Sequence, residues 1–153
     1  MLYYSHSPPR ISTLSSVVTH LHRKIDHRKE MEARTRLSIV ANKGISGDAS
    51  FGRRTRQILL VASDTLASLN LNPGDLRENI LIDGLAIDSL PPQTKLLIGD
   101  VTLSITGPCQ PCNQMDELRE GLQEELQGRR GVLARALSDG QISVGDHVEV
   151  RFP

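Results

Sequence analysis

Both cysteines of the chain lie in one short segment, Gly107-Pro108-Cys109-Gln110-Pro111-Cys112-Asn113, between a strand-like run and a helix-like run. We call it the cysteine segment, and the rest of the chain can be interpreted as its scaffold. Two cysteines separated by two residues can provide half of a zinc site, a dithiol or disulfide couple, or one thiolate ligand for a cofactor. Both can also be buried thiols without chemistry, because free cysteine is commonly buried.

The residues on either side predict a hairpin before the cysteine segment and a helix after it. Two apolar runs, residues 95–98 and 101–106, flank Gly99-Asp100, a pattern typical of a two-residue hairpin turn. Downstream, apolar residues spaced by three, four and four predict one helix from about Gln114 to Gln127, with Asn113 as its N-cap. These apolar residues are Met115, Leu118, Leu122 and Leu126.

The predicted helix distinguishes the two cysteines. Since the N-terminus of a helix favours a thiolate, Cys112 is expected to be the more reactive one. Pro111 keeps the preceding residues extended and leaves Cys109 on the strand side. A structural zinc site needs two more Cys or His ligands, and the sequence has no second C-x-x-C. Three histidines near the N-terminus do not complete a recognisable site: His20, His22 and His27.

The remaining pattern predicts many short strands and few helices. Residues 11–22 fit either a strand or a short helix, and residues 65–69 fit a short helix capped by Ser63 or Asp64. Strands are predicted at 31–40, 57–62, 80–82 and 147–152, with a second hairpin of 132–137 and 142–144 around Asp139-Gly140. The expected fold is mainly β, barrel-like and largely antiparallel, with a few peripheral helices.

Composition narrows the functional classes. Eighteen basic and eighteen acidic residues cancel, and only 3% of the residues are aromatic, so a nucleic-acid partner is not expected. No apolar run approaches the length of a transmembrane helix, and no signal peptide opens the chain, so a cytoplasmic protein without a membrane partner is expected.

Residues 1–30 are predicted to be a partly ordered extension of one domain, residues 31–153. The sequence does not indicate an oligomeric state.

A glycine-containing loop and the arginines that follow it are candidates for holding an anion. Residues 44–48, Gly-Ile-Ser-Gly-Asp, predict a tight turn with exposed backbone N–H groups. Arg53, Arg54 and Arg56 follow closely and could offer guanidinium groups to a phosphate or carboxylate. A solvated loop has the same composition, so both interpretations stay open.

Several pieces occur in an order that resembles the MOSC domain family, named for the C-terminal domain of molybdenum cofactor sulfurases. The resemblance covers about residues 31–150. It depends on Gly44-Ile45-Ser46-Gly47-Asp48, Arg56-Gln57, Arg77-Glu78-Asn79, Ile82-Asp83-Gly84, Ile98-Gly99-Asp100, the cysteine segment, Arg130-Gly131-Val132, Ala134-Arg135, Gly140 and Val144-Gly145-Asp146.

This resemblance implies a β-barrel-like fold, binding of molybdenum cofactor (molybdopterin), and a cysteine that carries sulfur or ligates molybdenum. In family members with one cysteine in this segment, it falls in a Pro-Cys pair, which matches Pro111-Cys112. The resemblance therefore implies Cys112 as the first candidate catalytic residue, and Cys109 is the second. The candidate cofactor-binding residues are Gly47, Asp48, Arg53, Arg54, Arg56, Asn79 and Arg130.

The resemblance also suggests partners and leaves alternatives. Larger sulfurases carry a pyridoxal-phosphate desulfurase domain for which 153 residues leave no room. Pyridoxal phosphate is therefore expected only on a separate cysteine desulfurase, and a molybdoenzyme is the other expected partner. The alternatives are a carrier that delivers the cofactor without catalysis, and a C-x-x-C redox or zinc protein without pterin.

Overall fold

The computed structural model describes residues 16–153, and short strands make up most of its regular structure. In chain order they are β1 (Val17–Arg23), β2 (Glu32–Arg34), β3 (Arg36–Val40), β4 (Gly44–Ile45), β5 (Ile58–Ala62), β6 (Ile80–Asp83), β7 (Lys95–Ile98), β8 (Val101–Pro108), β9 (Val132–Ala136), β10 (Gly140–Ser143) and β11 (Val148–Arg151). The helices are α1 (Ser63–Ser68), α2 (Gln114–Leu118) and α3 (Leu122–Glu125), with a 3₁₀ turn at Ile87–Ser89.

Two sheets form a curled half-barrel. Eight strands follow the order β11-β7-β8-β9-β5-β6-β1-β2, and three follow the order β10-β3-β4. Within residues 16–153, β5 and β6 are the only parallel neighbours, and all other pairs are antiparallel. The predicted fold class, mainly β and largely antiparallel with a few peripheral helices, is therefore confirmed.

The strand β5 is buried along its whole length because both of its faces are covered. Ile58, Leu60 and Ala62 point into the half-barrel interior, whereas Leu59 and Val61 belong to a second cluster on the outside. Met115, Leu122 and Leu126, together with Cys109, pack into this outer cluster. Each large apolar side chain buried in this way contributes about 1.5–3 kcal/mol. The outer cluster therefore attaches the helical segment, and the cysteines before it, to the sheet.

The hairpin before the cysteine segment is confirmed. β7 and β8 pair antiparallel with Ile98 opposite Val101, which leaves Gly99 and Asp100 as the turn. Gly99 has a φ of 57°, and a Cβ atom there would lie 2.8 Å from the carbonyl oxygen of Gln141. Glycine fits both the backbone conformation and the close approach. β8 then leads directly into Cys109.

The predicted single helix over 114–127 is wrong in its continuity. α2 ends at Leu118, and the chain restarts as α3 at Leu122 after Gly121, whose φ is 84°. A left-handed residue breaks the helical hydrogen-bond ladder although the apolar spacing continues through it. Asn113 does precede α2, but its side chain makes no capping hydrogen bond to any described residue.

The second predicted hairpin is also wrong. β9 pairs with β8 and β5 in the large sheet, whereas β10 pairs with β3 in the small one, with Gly140 opposite Ile39. Asp139 does not close a two-residue turn; its carboxylate accepts a hydrogen bond from the backbone N–H of Ala41 at 2.7 Å. Pairing with a strand about a hundred residues earlier in the chain overrides the local turn signal.

Four other predicted elements differ from the observed ones in their bounds. Residues 1–15, including the start of the predicted 11–22 element, lie outside the described residues, and the rest of that element is the strand β1, between β6 and β2. The short helix starts at Ser63 rather than at residue 65, and Ala62 precedes it. The strand predicted over 31–40 is divided into β2 and β3. The last strand is β11, slightly shorter than predicted.

Candidate functional site

A cavity of about 190 Å³ opens beside the cysteine segment. Five parts of the chain meet there: the loop after β1, the loop before β5, the turn before β6, the cysteine segment with the start of α2, and the residue pair before β9. We call it the cationic cavity. It is lined by Lys24, His27, Ser50, Arg53, Arg56, Gln57, Ile58, Leu59, Arg77, Asn79, Cys109, Gln110, Cys112, Gln114, Met115, Arg130 and Leu133.

Positive charge is concentrated in this cavity although the chain is neutral overall. Lys24 and four arginines line it, and none of the described residues that line it is an Asp or Glu. Burial lowers the pKa of Lys24, and Arg77, Arg53 and Arg130 lower it further against an opposing effect of Asp48. Cations that repel one another in a partly dry site bind a multiply charged anion favourably.

Arg130 gives the strongest indication of an anion. It is only 6% exposed, and neither its Nε nor its Nη1 has a hydrogen-bond partner within the part of the chain that the structure describes. Leaving buried donors of a charged group unpaired is costly, so such groups normally meet an ion or ligand.

The residue after Arg130 is fixed on both sides: the Gly131 N–H donates to Asp88 Oδ1, and its carbonyl accepts from the Cys109 N–H, each at 2.9 Å.

Gln57 holds the arginine loop in place. Its side chain is 1% exposed, and Nε2 donates to the carbonyl oxygens of Arg53 at 2.7 Å and Asn42 at 3.0 Å. Its Oε1 accepts from the Ala136 N–H at 2.9 Å, which ties the loop to β9. We interpret Gln57 as a residue that positions Arg53 and Arg56. In the sequence, Gln57 stands out only as part of the Arg56-Gln57 motif.

Asp48 and Asn79, predicted to bind the cofactor, are engaged with the protein itself. Asp48 Oδ1 accepts from the Lys24 N–H at 2.6 Å and from Asn79 Nδ2 at 3.0 Å. Asn79 Oδ1 accepts from the Leu59 N–H at 2.9 Å, and Nδ2 also donates to the His22 carbonyl at 3.2 Å. Asn79 borders the cationic cavity, but this network mainly fixes the backbone that carries Lys24.

Two more predicted binding residues lie away from the cavity lining. Gly47 has a φ of 80°, and a Cβ atom there would come within 2.5 Å of Arg23 Nη1, so its glycine serves chain packing. Arg54 is exposed and contributes its carbonyl oxygen to Gln57 Nε2 at 3.5 Å. The structure thus brings Arg53, Arg56, Asn79, Arg130 and both cysteines to one cavity, and leaves Gly47, Asp48 and Arg54 outside its lining.

The two cysteines face the cavity from different environments. Both are free; Cys112 is exposed, whereas Cys109 is buried in the outer apolar cluster. The Cys112 Sγ lies 4.0 Å from Gln114 Oε1, and the Cys109 Sγ lies 3.9 Å from the Gln110 carbonyl oxygen. The accessible thiol is therefore Cys112, and its greater reactivity stays a prediction. α2 has five residues and provides little of the helix-end field that the sequence argument required.

Three residues that line the cavity are not among the site residues predicted from the sequence: Lys24, His27 and Arg77. The first two belong to a polar, basic stretch that could equally be a solvated connection, and its charge was the only signal in the sequence. Arg77 stands next to Asn79 in a motif already noted. Its guanidinium donates to the carbonyl oxygens of Lys29 and Asp26, each at 2.8 Å, which fastens the loop after β1 against the turn before β6.

A second cavity of about 750 Å³ adjoins the first. The two share four lining residues: His27, Arg77, Gln114 and Met115. Unlike the cationic cavity, the second one has both signs of charge, with Glu30, Asp75 and Glu117 in its walls. A ligand with one anionic end and a larger neutral body could occupy both spaces.

Other site types find no support in the described part of the chain. No group of three or more His, Cys, Asp or Glu is arranged to hold a metal ion there. Likewise, no helix among residues 16–153 is long and apolar enough to cross a membrane.

The buried His22, behind the cavity, predicts a pH-dependent stability. It is 6% exposed, and burial, followed by the charge of His20, lowers its pKa below the usual 6.5. Because the folded protein binds the proton of His22 less readily than the unfolded chain does, the fold is most stable at pH values above the unfolded-state pKa of about 6.5. This stability is lost as the pH falls from 6.5 toward the lower pKa of the folded state. In urea titrations, wild type should lose up to about 1.4 kcal/mol per pH unit relative to His22→Leu between pH 6.5 and the folded-state pKa. His27→Gln, at an exposed site, should follow wild type, and parallel curves for wild type and His22→Leu would contradict the prediction.

Comparisons with known proteins agree with this fold. The family model described as "MOSC domain" matches residues 47–149. The YuaD protein from Bacillus subtilis superposes with a TM-score of 0.74 at 18% identity, over 88% of this chain and 95% of that one. YiiM from Escherichia coli gives a TM-score of 0.65 at 17% identity, over 95% and 71%. YiiM from Geobacillus stearothermophilus gives 0.63 at 16%, over 94% and 75%. No curated protein sequence matches the chain.

Proposed function

Because the chain belongs to the MOSC domain family, we propose that it binds molybdenum cofactor and that Cys112 carries sulfur for it or ligates its molybdenum. One observation carries this proposal. An accessible thiol lines the same cavity as a buried arginine, Arg130, whose Nε and Nη1 have no partner among the described residues, and no described carboxylate lines it with them. A phosphate-bearing cofactor that also needs a soft sulfur ligand or a sulfur atom requires this pair of features.

The residues present fit the cofactor in charge and in space. Its phosphate would meet Arg130, Lys24 and Arg53, three cationic lining residues whose donors suit phosphate oxygens. The cationic cavity alone is too small for the whole molybdopterin, but the adjoining 750 Å³ cavity offers room for the pterin body. Hydrogen bonds of Gln57, Asp48 and Asn79 fix the backbone at Arg53 and Lys24 in the absence of a ligand.

Each group of residues in the cavity would have a separate role toward the cofactor. When bound, the cofactor supplies a molybdenum centre for redox or sulfur chemistry. Cys112 offers a thiolate, a ligand type suited to soft metals and to a transferable sulfur atom. Arg130 and Lys24 orient the anionic end, and the apolar wall of Leu59 and Met115 limits water on one side. A molybdoenzyme is the proposed recipient if the loaded cofactor is passed on.

The proposal predicts what co-purifies with the protein from its native host. Elemental analysis should find molybdenum, and oxidation of the extract should release one fluorescent pterin per chain. The double variant Arg53→Gln/Arg130→Gln should retain at least about 10-fold less pterin, since charge-assisted hydrogen bonds to the phosphate are lost. Arg151→Gln removes the same kind of charge at the far edge strand and should match wild type. Zinc without pterin in the wild type would reject the proposal.

A further inference from the structure

We propose that the cationic cavity also admits a small dianionic sulfur donor, of which thiosulfate is the simplest, and that Cys112 takes its outer sulfur atom. This inference rests on the sulfur-carrying form of the proposed function and names the donor for it. The donor would reach the thiol directly from solution and would not need a desulfurase partner.

The charge of the cavity selects this class of donor. Five cationic side chains line the space, and one of them, Arg130, is more than nine-tenths buried with two donors, Nε and Nη1, that have no partner among the described residues. A tetrahedral dianion satisfies such donors. A zwitterionic amino acid such as cysteine would bring an ammonium group into the same space. No Asp or Glu among the described lining residues could pair with that ammonium.

Size and access agree with the charge. About 190 Å³ can hold a small oxyanion with its hydration partly removed, and Cys112 is exposed at the border of the same cavity. Cys109 is buried in the outer apolar cluster. Both cysteines border the cavity, and the exposed Cys112 is the thiol that the sulfur end of the donor would meet while the arginines hold its oxygen end.

The transfer balances without an external oxidant. The Cys112 thiol first gives its proton to solvent, and the thiolate then attacks the outer sulfur of thiosulfate. A sulfur–sulfur bond forms at Cys112 as the sulfur–sulfur bond of thiosulfate breaks. The electron pair of the broken bond leaves with sulfite. The products are a Cys112 persulfide and one sulfite dianion, which the same cations hold until it exchanges with solvent.

Mass spectrometry of the intact chain tests this step. Incubation of the reduced full chain with thiosulfate should add one sulfur atom, located on the peptide that contains Cys112, with release of one equivalent of sulfite. Arg130→Gln should lower the loading rate at subsaturating thiosulfate by about 10- to 100-fold, because a charge-assisted contact to the dianion is lost. Arg151→Gln should load at the wild-type rate.

A neutral donor separates charge recognition from damage to the fold. An uncharged dialkyl trisulfide should react with Cys112 at equal rates in wild type and Arg130→Gln: the thiolate attacks an outer sulfur, a mixed disulfide forms at Cys112, and an alkyl persulfide anion leaves. Arg53→Gln, in the exposed loop, replaces Arg130→Gln if the latter does not fold. Absence of added sulfur on Cys112, or an equal loss with both donors, would overturn the inference. Pterin in the native protein without thiosulfate loading would reject this step alone. Loading without pterin would support it and reject the cofactor proposal.

Discussion

The variant Cys112→Ser should lose sulfur transfer, or activity that needs a thiolate ligand, by about 1,000-fold or more. A serine hydroxyl cannot hold a persulfide, and it is a poor ligand for a soft metal site. The change should leave the fold and anion binding intact, because Cys112 is exposed and its recorded sulfur contact is Gln114 Oε1 at 4.0 Å. Transfer to an acceptor molybdoenzyme, phosphate binding by calorimetry and urea denaturation measure the three properties separately.

The same variant decides between the two main forms of the proposal. A protein that only holds and delivers the cofactor would keep delivering it after Cys112→Ser. That result would identify the protein as a cofactor carrier and reject a catalytic role of Cys112. Cys109→Ala provides the comparison at the second predicted site residue. Because Cys109 packs in the outer apolar cluster, its truncation should lower the free energy of unfolding by about 1–2 kcal/mol. A loss of transfer with no loss of stability would instead assign Cys109 to the chemistry.

Local sequence patterns predicted the parts of the fold that local interactions decide. The hairpin of β7 and β8 needs only a glycine turn between two apolar runs, and the buried strand β5 is visible as a continuous apolar run. The break between α2 and α3 depends on a left-handed backbone at Gly121, whereas the apolar spacing runs through it unchanged. Pairing of β10 with β3 depends on residues about a hundred positions apart, which no turn signal encodes.

The site shows the same division. The cysteine segment and the arginine loop are each one continuous stretch of sequence, so the chemistry of each can be recognised from its residues alone. Lys24 and Arg77 meet because β1 and β6 are antiparallel neighbours with Leu21 opposite Ile80, which places the end of one strand beside the start of the other. This pairing is a property of topology. Residue type alone also could not show that the polar groups of Asp48 and Asn79 are used within the protein.

Asn79→Ala should be among the most destabilising single changes near the cavity, with a loss of about 3–5 kcal/mol. The side chain is 4% exposed and satisfies the Leu59 N–H, the His22 carbonyl and the Asp48 carboxylate. Truncation leaves all three without that partner at a largely buried position, and the cost of unpaired buried polar groups accumulates. The midpoint and slope of urea unfolding measure the effect.

Asn113→Ala is the matched control for this prediction, since it removes the same amide from an exposed position where no described residue accepts or donates a capping bond. It should change the free energy of unfolding by less than about 0.5 kcal/mol, whereas the loss of a working N-cap would cost about 1 kcal/mol. Equal effects of the two substitutions would contradict the structural role of Asn79. A stable Asn79→Ala protein that has lost phosphate binding would show direct ligand contact instead, because only a residue outside the folding network can lose binding without losing stability.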